Sequence, residues 1–136
     1  MSVTRAVVGV LGAIYVIVGI LGFLGEPIVV PGSHSDMQSA TGDLLGIFPI
    51  NAIHNVVHLA IGAVLLYGAT EAGRAIVVAR GIAVAYALVG VLGFIAPDTF
   101  GLMPIGGADI WLHLGTAAVL FGVTLIDDRD REMRTA

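Results

Sequence analysis

The sequence predicts an all-α integral membrane four-helix bundle built from two parallel two-helix repeats. Three observations predict it. Hydrophobic residues make up 57% of the 136 residues and charged residues only 12%, against roughly 45–50% and about 25% in an ordinary soluble domain. Mean hydropathy is +1.00, and so few charges cannot cover a water-facing surface. Four apolar windows follow one another along the chain, and the second pair repeats the first.

The windows cover residues 6–24, 50–69, 75–96 and 108–126. Each has about the 20 residues that a helix needs to cross a hydrocarbon core. In lipid every backbone N–H and C=O must be paired within the segment, so such windows are read as helices despite their many Val and Ile. The first window carries no charge and is read as a retained span, because the apolar stretch is too long for a signal peptide and no small-x-small cleavage site follows. The second carries His54, Asn55 and His58, the third Arg80 near its start, and the fourth Asp109 and His113. Polar segments at 25–46, 70–74 and 97–107 join them, and a charged tail at 127–136, expected to fray, follows the last. The chain is thus one membrane domain, residues 1–136, with repeat one at 4–70 and repeat two at 75–126.

The basic residues set the orientation. Arg5, Arg74, Arg80, Arg129, Arg131 and Arg134 all flank one side, and the other two loops hold no Lys or Arg. The positive-inside rule then puts both termini in the cytoplasm, in a multi-pass inner-membrane protein. Arg80 lies about one and a half turns into its window and can snorkel back to the interface. The absence of cysteine excludes disulfides, thiolate chemistry and iron–sulfur ligation. A net charge of −4 with no basic stripe excludes nucleic acid as a partner. The partner is the lipid bilayer, with a homo-oligomer or a larger membrane complex left open.

The repeat is read at two offsets. Moved on by 71 residues, Tyr15 falls on Tyr86, and GILGF (19–23) on GVLGF (90–94). Moved on by 55, Gly46 falls on Gly101, FPI (48–50) on MPI (103–105), and His58 on His113. Two spans return the chain to its starting side, so the copies share an orientation and are related by a pseudo-twofold axis along the membrane normal. An up-down-up-down bundle places spans two and four on one diagonal and spans one and three on the other.

Ionisable groups within spans are costly and normally face the bundle interior. His54 and His58 are four apart and share a helix face, as do Asp109 and His113. Under the repeat His54 meets Asp109 and His58 meets His113, giving a two-by-two set in the outer half. Three readings follow. His54, His58, Asp109 and His113 form a clasp for zinc, iron, copper or manganese. Alternatively His58 and His113 are the axial ligands of a haem b, with Gly19, Gly22, Gly90 and Gly93 making room for the porphyrin. Either cofactor would serve electron or proton transfer. In the third reading there is no cofactor: the polar groups bond Tyr15, Tyr86 or the backbone and only fix helix packing in a structural or accessory subunit. A small transporter ranks below these, because four short spans leave a narrow path.

Plainer roles stand beside these. Asp109 suits a first-turn cap, Asn51 and Asn55 suit capping and packing, the glycine pairs suit close helix contact, and Trp111 suits an interfacial belt. His34 lies alone in a polar loop. No HExxH, GxSxG or kinase pattern occurs, and no serine lies within a span, so the chain is not read as an enzyme. At GIFPINAIHNVVHLAIG (46–62) and FGLMPIGGADIWLHL (100–114) the sequence resembles the small four-span membrane proteins grouped as domain of unknown function 4383, over residues 4–126. The resemblance implies a four-helix integral membrane protein and carries over no activity or site residue.

Overall fold

A computed structural model describes residues 2–32 and 34–135, with the backbone alone at 128–132 and 134–135. Four helices dominate: α1 (Val3–Leu21), α2 (Ala52–Gly68), α3 (Ala72–Ile95) and α4 (Ala108–Thr135). Three of them are long and apolar enough to cross a membrane, namely α1, α3 and the Ala108–Asp127 part of α4. The fourth, α2, is an apolar helix of 17 residues, about 25 Å long. It starts two residues later than the hydrophobic window, because Pro49 and Ile50 are drawn into a strand and Asn51 caps the helix. α3 begins earlier than its window, so the turn before it shrinks to residues 69–71. The charged tail does not fray at 127: its backbone continues α4 to Thr135. The side chains of Arg129, Arg131 and Arg134 lie outside the described residues.

The helices alternate in direction, and α1 packs chiefly on α2, and α3 on α4. α1 also touches α3 across the bundle, at Tyr15 and Tyr86, whose rings lie 5.7 Å apart. The α2–α4 diagonal is wider. Buried positions recur in the two hairpins. On α1 they are Thr4, Val8, Gly12, Tyr15 and Gly19, and 71 residues on stand Ala75, Ala79, Ala83, Tyr86 and Gly90, all buried. On α2 they include His54, Asn55, His58, Gly62 and Leu65, and 55 residues on stand Asp109, Ile110, His113, Ala117 and Leu120, again all buried. The outward faces carry Val10, Ile14, Ile17, Val56, Val64, Val77, Val84, Leu88 and Val119. So continuous an apolar exterior is a surface for hydrocarbon, not water.

At the end holding both termini, contacts between helices replace loops. The Asp127 carboxylate accepts from the backbone N–H groups of Val3 (3.1 Å) and Thr4 (3.0 Å), so α4 caps the first turn of α1. The Thr4 hydroxyl donates to the Val123 carbonyl (3.0 Å), and Arg5 Nε donates to the Ala69 carbonyl at the end of α2 (2.6 Å).

The opposite, loop end is covered by a feature the sequence did not suggest. Three short strands, β1 (Val29–Val30), β2 (Gly42–Leu44) and β3 (Phe48–Ile50), form an antiparallel sheet in the order β1-β2-β3. Leu45 and Gly46 turn β2 into β3 with positive φ (55° and 71°), and Phe100 and Gly101, 55 residues on, repeat those signs (58° and 85°). Met37, Leu44, Ile50 and Ile105 are buried beneath this cover. It is fastened to the loop before α4: Ser39 N donates to Asp98 Oδ1 (3.0 Å), the Ser39 hydroxyl bonds the same carboxylate, and Asn51 Nδ2 donates to the carbonyls of Ser39 (3.2 Å) and Leu102 (3.0 Å).

A buried His, Asp and Tyr centre

Local chemistry sets where α2 and α4 begin, and thereby the depth of the polar groups. The Asn51 side chain accepts from His54 N (2.9 Å) as an N-cap, which fixes His54 in the first turn of α2 and His58 one turn deeper. α4 starts after Gly106 and Gly107, the latter at φ +63°, a conformation glycine adopts without strain. Asp109 therefore lies in the first turn and His113 one turn deeper. Ring Nδ1 of His113 stands 2.7 Å from the Asp109 carbonyl. A carbonyl can only accept, so Nδ1 carries the proton and Nε2 is left as the acceptor.

All four sequence-predicted residues are buried, with relative exposures of 1% for His54, 6% for His58, 1% for Asp109 and 5% for His113. None turns to lipid. They join the tyrosines in a closed circuit of rings. Tyr15 meets His58 edge-on at 5.3 Å, His58 meets His54 at 4.4 Å, His54 lies nearly parallel to His113 at 6.3 Å, His113 meets Tyr86 edge-on at 4.9 Å, and Tyr86 returns to Tyr15. Asp109 joins at one point, its Oδ2 lying 3.5 Å from His54 Nε2.

The circuit is incompletely satisfied. His54 Nδ1, His58 Nδ1, the Tyr86 hydroxyl and Asp109 Oδ2 are buried without a hydrogen-bond partner, as is Asn55 Oδ1 nearby. Such orphans are rare in native interiors and call for an explanation. Beside them lies a cavity of about 90 Å³, lined by His54, Val57, His58 and Ile61 of α2, Ala85, Tyr86 and Val89 of α3, His113 of α4, and Met103.

Two expectations meet physical obstacles. The glycines do not make room for a porphyrin. A Cβ on Gly19 would meet Leu59 and the Asn55 carbonyl, on Gly22 the Asn55 side chain, on Gly90 Leu114, and on Gly93 Ile110 and the Ile105 carbonyl. Helix–helix packing already fills those notches, and a cavity of about 90 Å³ is far below the roughly 300–1,000 Å³ of ordinary cofactor pockets. The site does not fit haem b between His58 and His113. A metal ion has no ready-made seat either: among the described residues no three His, Asp or Glu side chains stand so as to hold one. The ring contacts explain this, because the imidazoles are spaced around the circuit and held against tyrosine edges.

Other residues were missed or fall elsewhere. Tyr15 and Tyr86, named from the sequence as bonding partners of the polar groups, meet the imidazoles through their ring edges and close the circuit. Asp127 and Asp98, read as tail and loop charges, hold the two ends of the bundle. Asn51 is a cap, while Asn55 packs against Gly22. Trp111 is exposed on the outer face with its ring edge-on to Phe94 at 5.8 Å. His34 is outside the centre: its Nε2 pairs with Asp43 Oδ1 at 2.6 Å in the cover.

Neither a curated protein nor a solved structure matches this chain. One family model does, over residues 5–126, which reaches into all four helices and takes in every member of the centre. By that match the chain belongs to the family described as domain of unknown function 4383.

Proposed function

We propose that this is a four-span inner-membrane protein, both termini cytoplasmic, whose outer-half centre receives a small polar guest and exchanges protons with it. The spans are paired as two parallel repeats, a reading supported by the matching buried positions of the two hairpins. One observation carries the functional reading: three residues that line the cavity, His54, His58 and Tyr86, each hold a polar atom buried without a hydrogen-bond partner. A centre used only for packing has its polar atoms bonded to one another, since an unmet buried donor or acceptor costs about 1–3 kcal/mol. Imidazole, carboxyl and phenol are the side chains that exchange protons in enzymes, and here they are in mutual contact. Val8, Leu65 and Leu120, fully buried between the centre and the termini, stand against a transport path through the bundle.

The test is a stability comparison in detergent. Tyr86→Phe removes a hydroxyl without a partner, so it leaves the unfolding free energy unchanged or raises it by up to about 1 kcal/mol. The packing-only reading requires a loss of roughly 0.6–2 kcal/mol, and that result would overturn the proposal.

A second reading has its own support in the orphaned nitrogens. His54, His58, Asp109 and His113 are together a donor set suited to zinc, iron or copper. Binding would require the side chains to draw inward from their ring contacts. Protein expressed with excess metal and purified in mild detergent would hold one ion per chain, lost in each of His54→Ala, His58→Ala, Asp109→Ala and His113→Ala. Substoichiometric metal in the wild type excludes this reading.

A further inference from the structure

We infer that the loop end of the bundle carries an apolar collar that docks into the boundary between lipid headgroups and acyl chains, seating the cover in the membrane and leaving the polar stretch 25–41 to water. The collar requires no guest in the centre and no particular orientation of the termini.

Its members come in repeat-related pairs. Leu45 and Ile47, in the turn between β2 and β3, are 59% and 58% exposed, and 55 residues on Phe100 and Leu102 are 90% and 55% exposed. Phe23 and Leu24 stand just past α1, and 71 residues on Phe94 and Ile95 end α3, all four exposed. In residues 44–50 and 94–107 every exposed residue is apolar or glycine. Asp43 and Asp98 are half-buried, and their carboxylates engage His34 and Ser39. Among the described residues of this end, the exposed polar side chains, Glu26, Ser35, Asp36, Gln38 and Thr41, all fall within 25–41.

The turns themselves speak against water. Leu45 and Phe100 hold positive φ (55° and 58°), a conformation that strains a bulky residue and that water-facing turns assign to Gly, Asn or Asp. An apolar side chain at such a tip gains from leaving water for acyl chains. Position selects lipid over a partner protein. The collar prolongs the columns that face hydrocarbon: Ile17 and Ile20 of α1 lead to Phe23, and Leu88 and Val91 of α3 lead to Phe94, all exposed. The Phe94 ring meets Trp111 of α4 edge-on at 5.8 Å, and aromatic rings gather at membrane boundaries. A single docked protein covers one side of a bundle, whereas these residues recur beside all four helices. α2 adds a reason of length. Its 17 residues make about 25 Å against a hydrocarbon core of about 30 Å. Leu45 and Ile47 stand just before its first turn and lengthen the apolar band at that end.

The experiment uses the full-length chain in phosphatidylcholine liposomes. Trp111 is the sole tryptophan, so Trp111→Phe gives a dark background on which Ile47→Trp and Leu102→Trp each place one reporter, away from the positive-φ residues. Bromines in the upper acyl chains should quench either reporter at least about twofold, since an interfacial apolar group lies roughly 5–10 Å into the boundary. Aqueous acrylamide should quench both weakly. Gln38→Trp, exposed within 25–41, should show the reverse. Helical content and melting should match those of Trp111→Phe. The chain has no cysteine, so spin-labelled Ile47→Cys and Leu102→Cys repeat the test if a tryptophan disturbs the fold. Their collisions with oxygen should exceed those with a water-soluble nickel chelate. Acrylamide quenching of either turn reporter with no effect of bromine would overturn the inference. So would quenching by neither agent, which would mean that a second copy covers the turns, and so would equal behaviour of Gln38→Trp.

Discussion

Asn51 shows how one side chain positions the centre. Its Oδ1 caps α2 at His54, and its Nδ2 donates to the carbonyls of Ser39 and Leu102 in the cover. The two jobs can be separated. Asn51→Asp keeps the capping oxygen but turns the donor into an acceptor facing two carbonyls. It should leave the start of α2 intact while raising amide exchange in residues 37–41 and around Leu102. Asn51→Ala loses both and should cost about 2 kcal/mol, the sum of a cap and the net worth of the lost bonds. Unfolding of the two variants in mixed micelles, with exchange read by mass spectrometry, checks this. Equal exchange in the aspartate variant and the wild type would mean that Asn51 does not fasten the cover. At the same scale, the four ionisable members of the site were legible because intramembrane charge is rare and the spacing of four repeats at a fixed offset. The ring circuit was not legible. Closing it depends on how close α1 comes to α3, and no local pattern in a sequence reports that distance.

The helices were legible as elements because lipid forces backbone pairing and leaves a long apolar window no other form. Their ends were less so. α2 starts late because Pro49 and Ile50 join a sheet, and α4 runs on because leaving the hydrocarbon does not itself end a helix. The sheet escaped notice for a physical reason: its strands have two or three residues, one holds a proline, and too few positions alternate to give a period of two. Helix contacts make a further prediction through two glycines of α3. A Cβ on Gly93 would stand 2.6 Å from the Ile105 carbonyl oxygen, whereas one on Gly81 meets nothing within 4 Å. Gly93→Ala must push the α4 approach loop away and should cost about 1–3 kcal/mol. Gly81→Ala should be neutral or stabilise by up to about 1 kcal/mol, the ordinary gain of alanine in a helix. Thermal unfolding of the two variants side by side decides. A harmless Gly93→Ala would mean that α3 and α4 are not packed as closely as described.

Across the whole molecule the two ends are built differently, and the difference bears on orientation. At the end with the termini, Arg5 donates to the last turn of α2 and Arg80 Nε donates to the Thr124 hydroxyl at 3.3 Å, so two of the arginines are built into the bundle at that interface. Arg74 lies beside them in the first turn of α3, with its guanidinium 4.4 Å above the Tyr67 ring and 3.1 Å from Glu71. The cover at the other end has no Lys or Arg. An excess of arginine at membrane boundaries is retained on the cytoplasmic side, and the proposed orientation puts the end where α4 caps α1 on that side. Under the proposed orientation the outer half, with the centre and its cover, would face away from the cytoplasm. An alkaline phosphatase fusion after residue 135 should be inactive and a green fluorescent fusion there bright, while phosphatase inserted near Asp36 should be active. Because α2 is the one helix short of the usual span length, the two fusions must be read together. If α2 lay within one leaflet without crossing, α3 would run the other way and the C-terminus would be displaced to the outer side. A bright C-terminal fluorescent fusion together with an active Asp36 phosphatase therefore requires all four helices to cross, and an active C-terminal phosphatase would sink the four-span topology.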